Sequence, residues 1–306
     1  FLNALILAGL LSLITLPQVK ADERLIINGN TDLSSGLTGI TTTNNGNGGA
    51  VQNNGYVLNI LQGEFTNNTL SNDTGAVFGG AIYQINGELN ISDSVTFNGN
   101  TVQSRSQTYP NWDGMDSASG GAIYISGANA VLNTDGTVTF SNNRALAIGT
   151  NDESNGGALY IETIKNAVFE NVNFTDNSSK TRGGAIYNGD TVLAINGKGV
   201  FSGNSSARGG AIYNYEYNNP STINTGTGSE FSTNKASENG GAIANFDGTT
   251  SVKITALRVI LPKITAEQYI TQIIQKPLKQ ILKEEHLSQE MKPVKAVQYT
   301  IQAMLH

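Results

Sequence analysis

Two short motifs alternate along most of this chain, and their alternation restricts the fold more than any other property of the sequence. Gly-Gly-Ala begins at Gly48, Gly79, Gly120, Gly156, Gly183, Gly209 and Gly240. From Gly79 onward Ile or Leu follows the alanine, at Ile82, Ile123, Leu159, Ile186, Ile212 and Ile243. Between these stand Phe-x-x-Asn pairs: Phe65 with Asn68, Phe97 with Asn100, Phe140 with Asn143, Phe174 with Asn177, Phe201 with Asn204 and Phe231 with Asn234. Gly156 to Gly183 spans 27 residues and Gly183 to Gly209 spans 26. A period of this length marks a supersecondary unit that buries its apolar face only against neighbouring copies of itself.

The tightest unit, GGAIYNGDTVLAINGKGVFSGNSSAR, contains three short alternating runs at residues 185–188, 191–196 and 199–204, parted by Gly-Asp and Gly-Lys-Gly turns. Three such strands cannot enclose a core. Stacked on identical turns at about 4.8 Å they can, because equivalent strands then pair in parallel and inward side chains form continuous columns. The predicted fold is therefore all-β, a parallel β-helix of three-stranded coils, forming a rod roughly 30 Å long over six or seven turns. Alternation places the Ile/Leu series and the Phe series inside. It places the alanines and Tyr83, Tyr124, Tyr160, Tyr187 and Tyr213 on the opposite side. The glycine pairs Gly79 and Gly80, Gly120 and Gly121, Gly156 and Gly157, Gly183 and Gly184, Gly209 and Gly210, and Gly240 and Gly241 occupy corners that need positive φ or leave no room for a Cβ. The motif asparagines are expected to accept a left-handed turn and to bond to their equivalents above and below.

Alternating GGA(I/L/V) and FxxN motifs resemble the chlamydial-type polymorphic outer membrane protein repeat of autotransporter adhesins, over about residues 48 to 245. The resemblance implies a right-handed β-helix, export, display on the bacterial surface or secretion, and a part in adhesion to a host-cell surface protein or glycan. Family members usually carry a long C-terminal β-barrel, whereas the residues after the repeats here are few and differently patterned. Outer-membrane association therefore requires a missing or separate anchor. Some relatives are cysteine-rich, and this chain has no cysteine.

The ends differ from the repeats. Leu5 to Leu16 is an apolar stretch followed by Val19-Lys20-Ala21, the pattern of a secretory signal, with a front that looks truncated. Residues 1–21 are assigned to it, 22–250 to the β-helix and 251–306 to a tail. Glycine vanishes after Gly248, and the tail carries eight cations (Lys253, Arg258, Lys263, Lys276, Lys279, Lys283, Lys292, Lys295) against Glu267, Glu284, Glu285 and Glu290. With a total of -6, the tail is +4 and the rest -10. Thr265-Ala-Glu-Gln268 has the form of a capping box. Ile270, Ile273, Ile274, Ile281 and Leu282, then Met291, Val294, Val297, Ile301 and Leu305, predict two amphipathic helices. They would cap the last coil, lie on a membrane, or mark a non-native end.

Composition limits the chemistry. Without cysteine, and with His286 and His306 both in the tail, the repeats hold no thiol, histidine triad or histidine-ligated metal, and no cofactor is expected. The acidic balance argues against nucleic acid, and no glycine-rich stretch has P-loop spacing. Arg182 and Arg208, before two of the Gly-Gly pairs, fill a corner held elsewhere by Phe78, Ser119 and Asn155. Specific recognition falls to two insertions that follow Phe-x-x-Asn motifs, TVQSRSQTYPNWDGMDSAS and RALAIGTNDES. Leaving the same corner of consecutive coils, they should be neighbours. Tyr109 and Trp112 supply aromatic contact area, and Asp113, Asp116, Asp152 and Glu153 supply charge. The alternative is a carbohydrate-active β-helix enzyme using two of these carboxylates.

Overall fold

In the computed structural model, the described residues are 23–43, 46–105, 116–149, 153–256 and 299–302. The signal-like segment, most of the tail and the tips of both insertions lie outside them. Among the described residues there is no helix, and the strands form sheets of eight, fourteen, seven and three strands. Strands of successive coils pair in parallel and in register. Ile186–Gly189 sits between Leu159–Glu162 and Ile212–Tyr215, for example. The architecture is that of a β-solenoid.

Each full coil carries one strand more than the sequence predicts. The unit beginning at Gly183 holds Ile186–Gly189, Val192–Ile195 and Gly199–Ser202, and then Ser205–Arg208. That fourth segment, Ser-Ser-Ala-Arg, has no apolar alternation to betray it. It is held by pairing with Ser178–Ser179 and Lys235–Asn239. The fourteen-stranded sheet comprises the second and third rows, joined by the long strand Thr222–Ser232, which pairs with both Val192–Ile195 and Gly199–Ser202.

The core follows the two motifs. The Ile/Leu column from Val51 to Ile243 is buried throughout, as is the Phe column. Phe65, Phe97, Phe140, Phe174, Phe201 and Phe231 stack with centroids 4.7–5.3 Å apart. The alanines depart from expectation: Ala81, Ala122, Ala158, Ala185, Ala211 and Ala242 are buried in the same core as the isoleucines. Alternation fails there because the chain is still turning. The N–H groups of Ala81 and Ile82 both donate to the Ala122 carbonyl, so neighbouring residues face the same side.

The glycine pair does two separate jobs, which the sequence does not assign to one member or the other. The first member, at Gly79, Gly120, Gly156, Gly183, Gly209 and Gly240, takes a positive φ of 61–73°. The second has no positive φ and instead lies against the next coil. A Cβ at Gly80 would fall on the Gly121 carbonyl oxygen, one at Gly121 on that of Gly157, and one at Gly157 on that of Gly184. The same collision recurs from Gly184 to Gly210 and from Gly210 to Gly241. Gly241 has neither a positive φ nor a crowded Cβ position, the latter because no further described coil stacks on it.

The asparagines form the expected ladder. Each Nδ2 donates to the Oδ1 of the next coil's asparagine at 2.9–3.0 Å, from Asn68 through Asn100, Asn143, Asn177 and Asn204 to Asn234. Each from Asn100 on also donates to the Phe carbonyl of the coil before, as Asn177 does to Phe140 and Asn204 to Phe174, both at 3.0 Å. The left-handed turn expected at Asn68, Asn100, Asn143, Asn177, Asn204 and Asn234 is not made by them. It belongs to the residue before each: Asn67, Gly99, Asn142, Asp176, Gly203 and Thr233 have φ of 54–69°. That residue points outward, where polarity and a positive φ are tolerated, whereas the asparagine must turn its amide inward to reach its equivalents.

At the far end the last described coil strand, Thr249–Ala256, runs past the boundary expected at 250. Tyr299–Gln302 pairs antiparallel with it, although the sequence predicts that stretch as helix. Tyr-Thr-Ile-Gln favours a strand once a sheet edge is within reach. The rest of both predicted tail helices lies outside the described residues.

Candidate functional site

A short sheet of Val77–Phe78, Asp116–Ser119 and Glu153–Asn155 stands at the corner between the fourth row of strands and the first. It closes both insertions. Asp116 pairs with Glu153 and Ser119 with Asn155, so the two insertions descend onto adjacent rungs. Single bridges continue the line from Asn155 to Arg182 and from Arg182 to Arg208.

Of the residues expected to recognise a partner, Tyr109, Trp112, Asp113 and Asp152 lie outside the described residues. Asp116 is placed by its backbone, opposite Glu153. Glu153 is not a free carboxylate. Its two oxygens accept from both terminal nitrogens of Arg182, the Nη2 bond measuring 2.7 Å, in a half-buried fork. Arg208 pairs with Glu238 one coil further on. These arginines, which the sequence offers only as corner fillers, tie the corner together. Sequence spacing alone does not reveal it, since Glu153 and Arg182 stand on different coils.

Beside this corner runs the tyrosine column. Tyr83, Tyr124, Tyr160, Tyr187 and Tyr213 face away from the core as expected, and stack at 4.5–5.7 Å with interplanar angles of 3–17°. Phe78 of the short sheet packs on Tyr124 at 4.7 Å, and the Arg182 guanidinium lies 5.7 Å from the Tyr213 ring centre. Although outward, Tyr160, Tyr187 and Tyr213 are buried, because each ring covers the next. Burial pushes the Tyr213 hydroxyl above the ordinary phenol range, and the charges of Arg182 and Arg208 pull it partly back.

Acidic groups lie along the other flank. Burial raises the Glu162 carboxyl above the usual carboxylate range, a hydrogen bond with Tyr160 offsets part of this, and Asp190 adds to it. Asp190 itself caps the following loop, accepting from the N–H groups of Tyr217 and Asn218. Among the described residues no three acidic or imidazole groups converge as metal ligands.

A row of stacked parallel strands, an inner Phe–Asn seam and two insertions whose closing strands pair at one corner define a solenoid repeat protein. Four stretches, residues 94–126, 137–162, 171–189 and 198–215, match the Chlamydia polymorphic membrane protein repeat. Those four stretches are repeats of that family, whose members are proteins of the chlamydial outer membrane and surface. Each match runs from a Phe-x-x-Asn strand to the Gly-Gly-Ala strand of the next coil, and so brackets the corner just described. No curated protein and no solved structure matches the chain significantly.

Proposed function

We propose that this chain is a surface-displayed, non-catalytic adhesion module of the autotransporter-passenger type, a right-handed β-helix that attaches to a host-cell surface protein or glycan through its inserted loops. The observation that carries the reading is the convergence of both insertions on one corner. Strands Asp116–Ser119 and Glu153–Asn155 pair there, and the Glu153–Arg182 fork stiffens the base. Loops raised from a rigid scaffold are where recognition residues concentrate. The right-handed sense is supported by the strong preference of parallel β crossovers for that hand. Export by the signal-like segment at residues 1–21 belongs to the same reading.

The test is binding of the full chain to cultured host cells and to an array of glycans, beside a variant carrying both Tyr109→Ala and Trp112→Ala. Aromatic anchors are worth about 2 kcal/mol or more at an interface, so affinity should fall by roughly thirtyfold or more. Unchanged binding removes the loop face from the account. Depolymerisation of a polysaccharide that is lost on Asp113→Asn would replace adhesion with catalysis.

A further inference from the structure

Tyr160 and Tyr187 are the closest and most nearly parallel neighbours of the tyrosine column, with centroids 4.5 Å apart and rings inclined by 3°. Among the described residues, two features stand beside this pair and no other. The position two residues after each tyrosine is held in successive coils by Ile85, Ser126, Glu162, Gly189 and Tyr215, so a single carboxylate interrupts that row. Glu162 accepts a hydrogen bond from the Tyr160 hydroxyl. Gly189, in the next coil, leaves the space beside Glu162 open. A Cβ there would lie 2.9 Å from Cε1 of Tyr187, 3.5 Å from its hydroxyl oxygen and 3.6 Å from Cγ of Glu162. The edge of the Tyr187 ring and the Glu162 side chain thus border the same space, over a residue with no side chain of its own.

We propose that Tyr160 and Tyr187 form an oxidative cross-linking site, joined by a carbon–carbon bond when a one-electron oxidant such as a peroxidase intermediate acts on the protein. Each tyrosine gives one electron to the oxidant and its phenolic proton to the Glu162 carboxylate, which passes the two protons to water in turn. The phenoxyl radicals couple through the ring carbons adjacent to their hydroxyl-bearing carbons. The hydrogen on each coupled carbon then moves to the oxygen, and both phenols are restored. Two equivalents of oxidant are reduced and two protons released. Both rings are buried, but the electrons have a path outward. Tyr187, Tyr213, Tyr215 and Tyr217, the last 73% exposed, follow one another at 5.7–6.3 Å. The bond ties strand Leu159–Glu162 to strand Ile186–Gly189 of the next coil, in a chain that has no cysteine for a disulfide. The site does not depend on the adhesion reading.

The full chain at low concentration is oxidised with photogenerated ruthenium(III) tris-bipyridine, digested with trypsin and analysed by mass spectrometry. Cleavage isolates Tyr160 in residues 145–165 and Tyr187 in residues 183–198, each the sole tyrosine of its peptide. A linked pair of these peptides, lighter than their sum by two hydrogens, is expected from monomeric chain, together with dityrosine fluorescence. Tyr187→Phe keeps the ring stack and should remove most of that fluorescence. Glu162→Gln removes the proton acceptor and should slow the link by about tenfold or more. Absence of the linked pair, links only between molecules, undiminished fluorescence in Tyr187→Phe, or an unchanged rate in Glu162→Gln would overturn the proposal.

Discussion

At Gly184 and Gly241 the same residue holds the same motif position under different steric conditions. A Cβ at Gly184 meets the carbonyl of the coil above, whereas at Gly241 its nearest contact is the Asn234 carbonyl at 3.8 Å. Gly184→Ala should therefore lower the melting temperature sharply and Gly241→Ala should not, as thermal unfolding followed by circular dichroism will measure. Asn143 is a second such position. Its loss strips an acceptor from the Asn100 backbone and amide N–H groups and a donor from the Phe97 carbonyl. Asn143→Ala should cost roughly 2–4 kcal/mol in urea unfolding, since buried polar groups left unpaired carry their full desolvation cost. One such cost already exists: the Asn188 Oδ1 is buried without a hydrogen-bond partner among the described residues. The coil before it presents Ile161 in register, which has no donor to offer.

Rows of strands, rather than single strands, carry the electrostatics. Glu162 ends its strand beside the tyrosine column, and its raised carboxyl means that the folded state binds a proton more readily than the unfolded one. The stability from this group is fully present below the unfolded carboxylate value and is lost as pH rises through the folded one. Glu162→Gln should flatten the dependence of the melting temperature on pH across the mildly acidic range and raise it at neutral pH. A profile identical to that of the parent chain would show that the Tyr160 hydrogen bond fully compensates the burial and the charge of Asp190. At the neighbouring corner the Glu153–Arg182 fork links the base of an insertion to a coil that carries none.

On the scale of the molecule the solenoid is nearly one-dimensional, each coil touching only the coils before and after it. Excising residues 183–208 joins Arg182 to Gly209, recreating the Arg-Gly-Gly junction that the chain already has at Arg208-Gly209. The shortened chain should keep its strand content and cooperative unfolding, with stability reduced by about one coil's share. Collapse to an unfolded chain would show that the coils are not interchangeable. Length thus sets how far the loop face is carried from one end of the rod to the other.

The repeat motifs made the inner columns, the asparagine ladder and the stacking direction legible, because inward positions recur at constant offsets and their neighbours are copies of themselves. The fourth strand was not legible, since Ser205–Arg208 has no apolar pattern and exists only by pairing across coils. Nor was the inward turn of the alanines, which depends on two N–H groups sharing one carbonyl. The left-handed turn was legible to within one residue: the motif marks the corner, but Asn177 and Asn204 spend their amides on the ladder and leave the turn to Asp176 and Gly203. The loop corner was half legible: spacing set both insertions on one side, but the arginines that brace it come from coils where the sequence shows no insertion. Periodicity by itself determined which residues stack. Only the tertiary structure decided how a coil closes on itself, because the corners are built from contacts between different turns, which no period along the chain records.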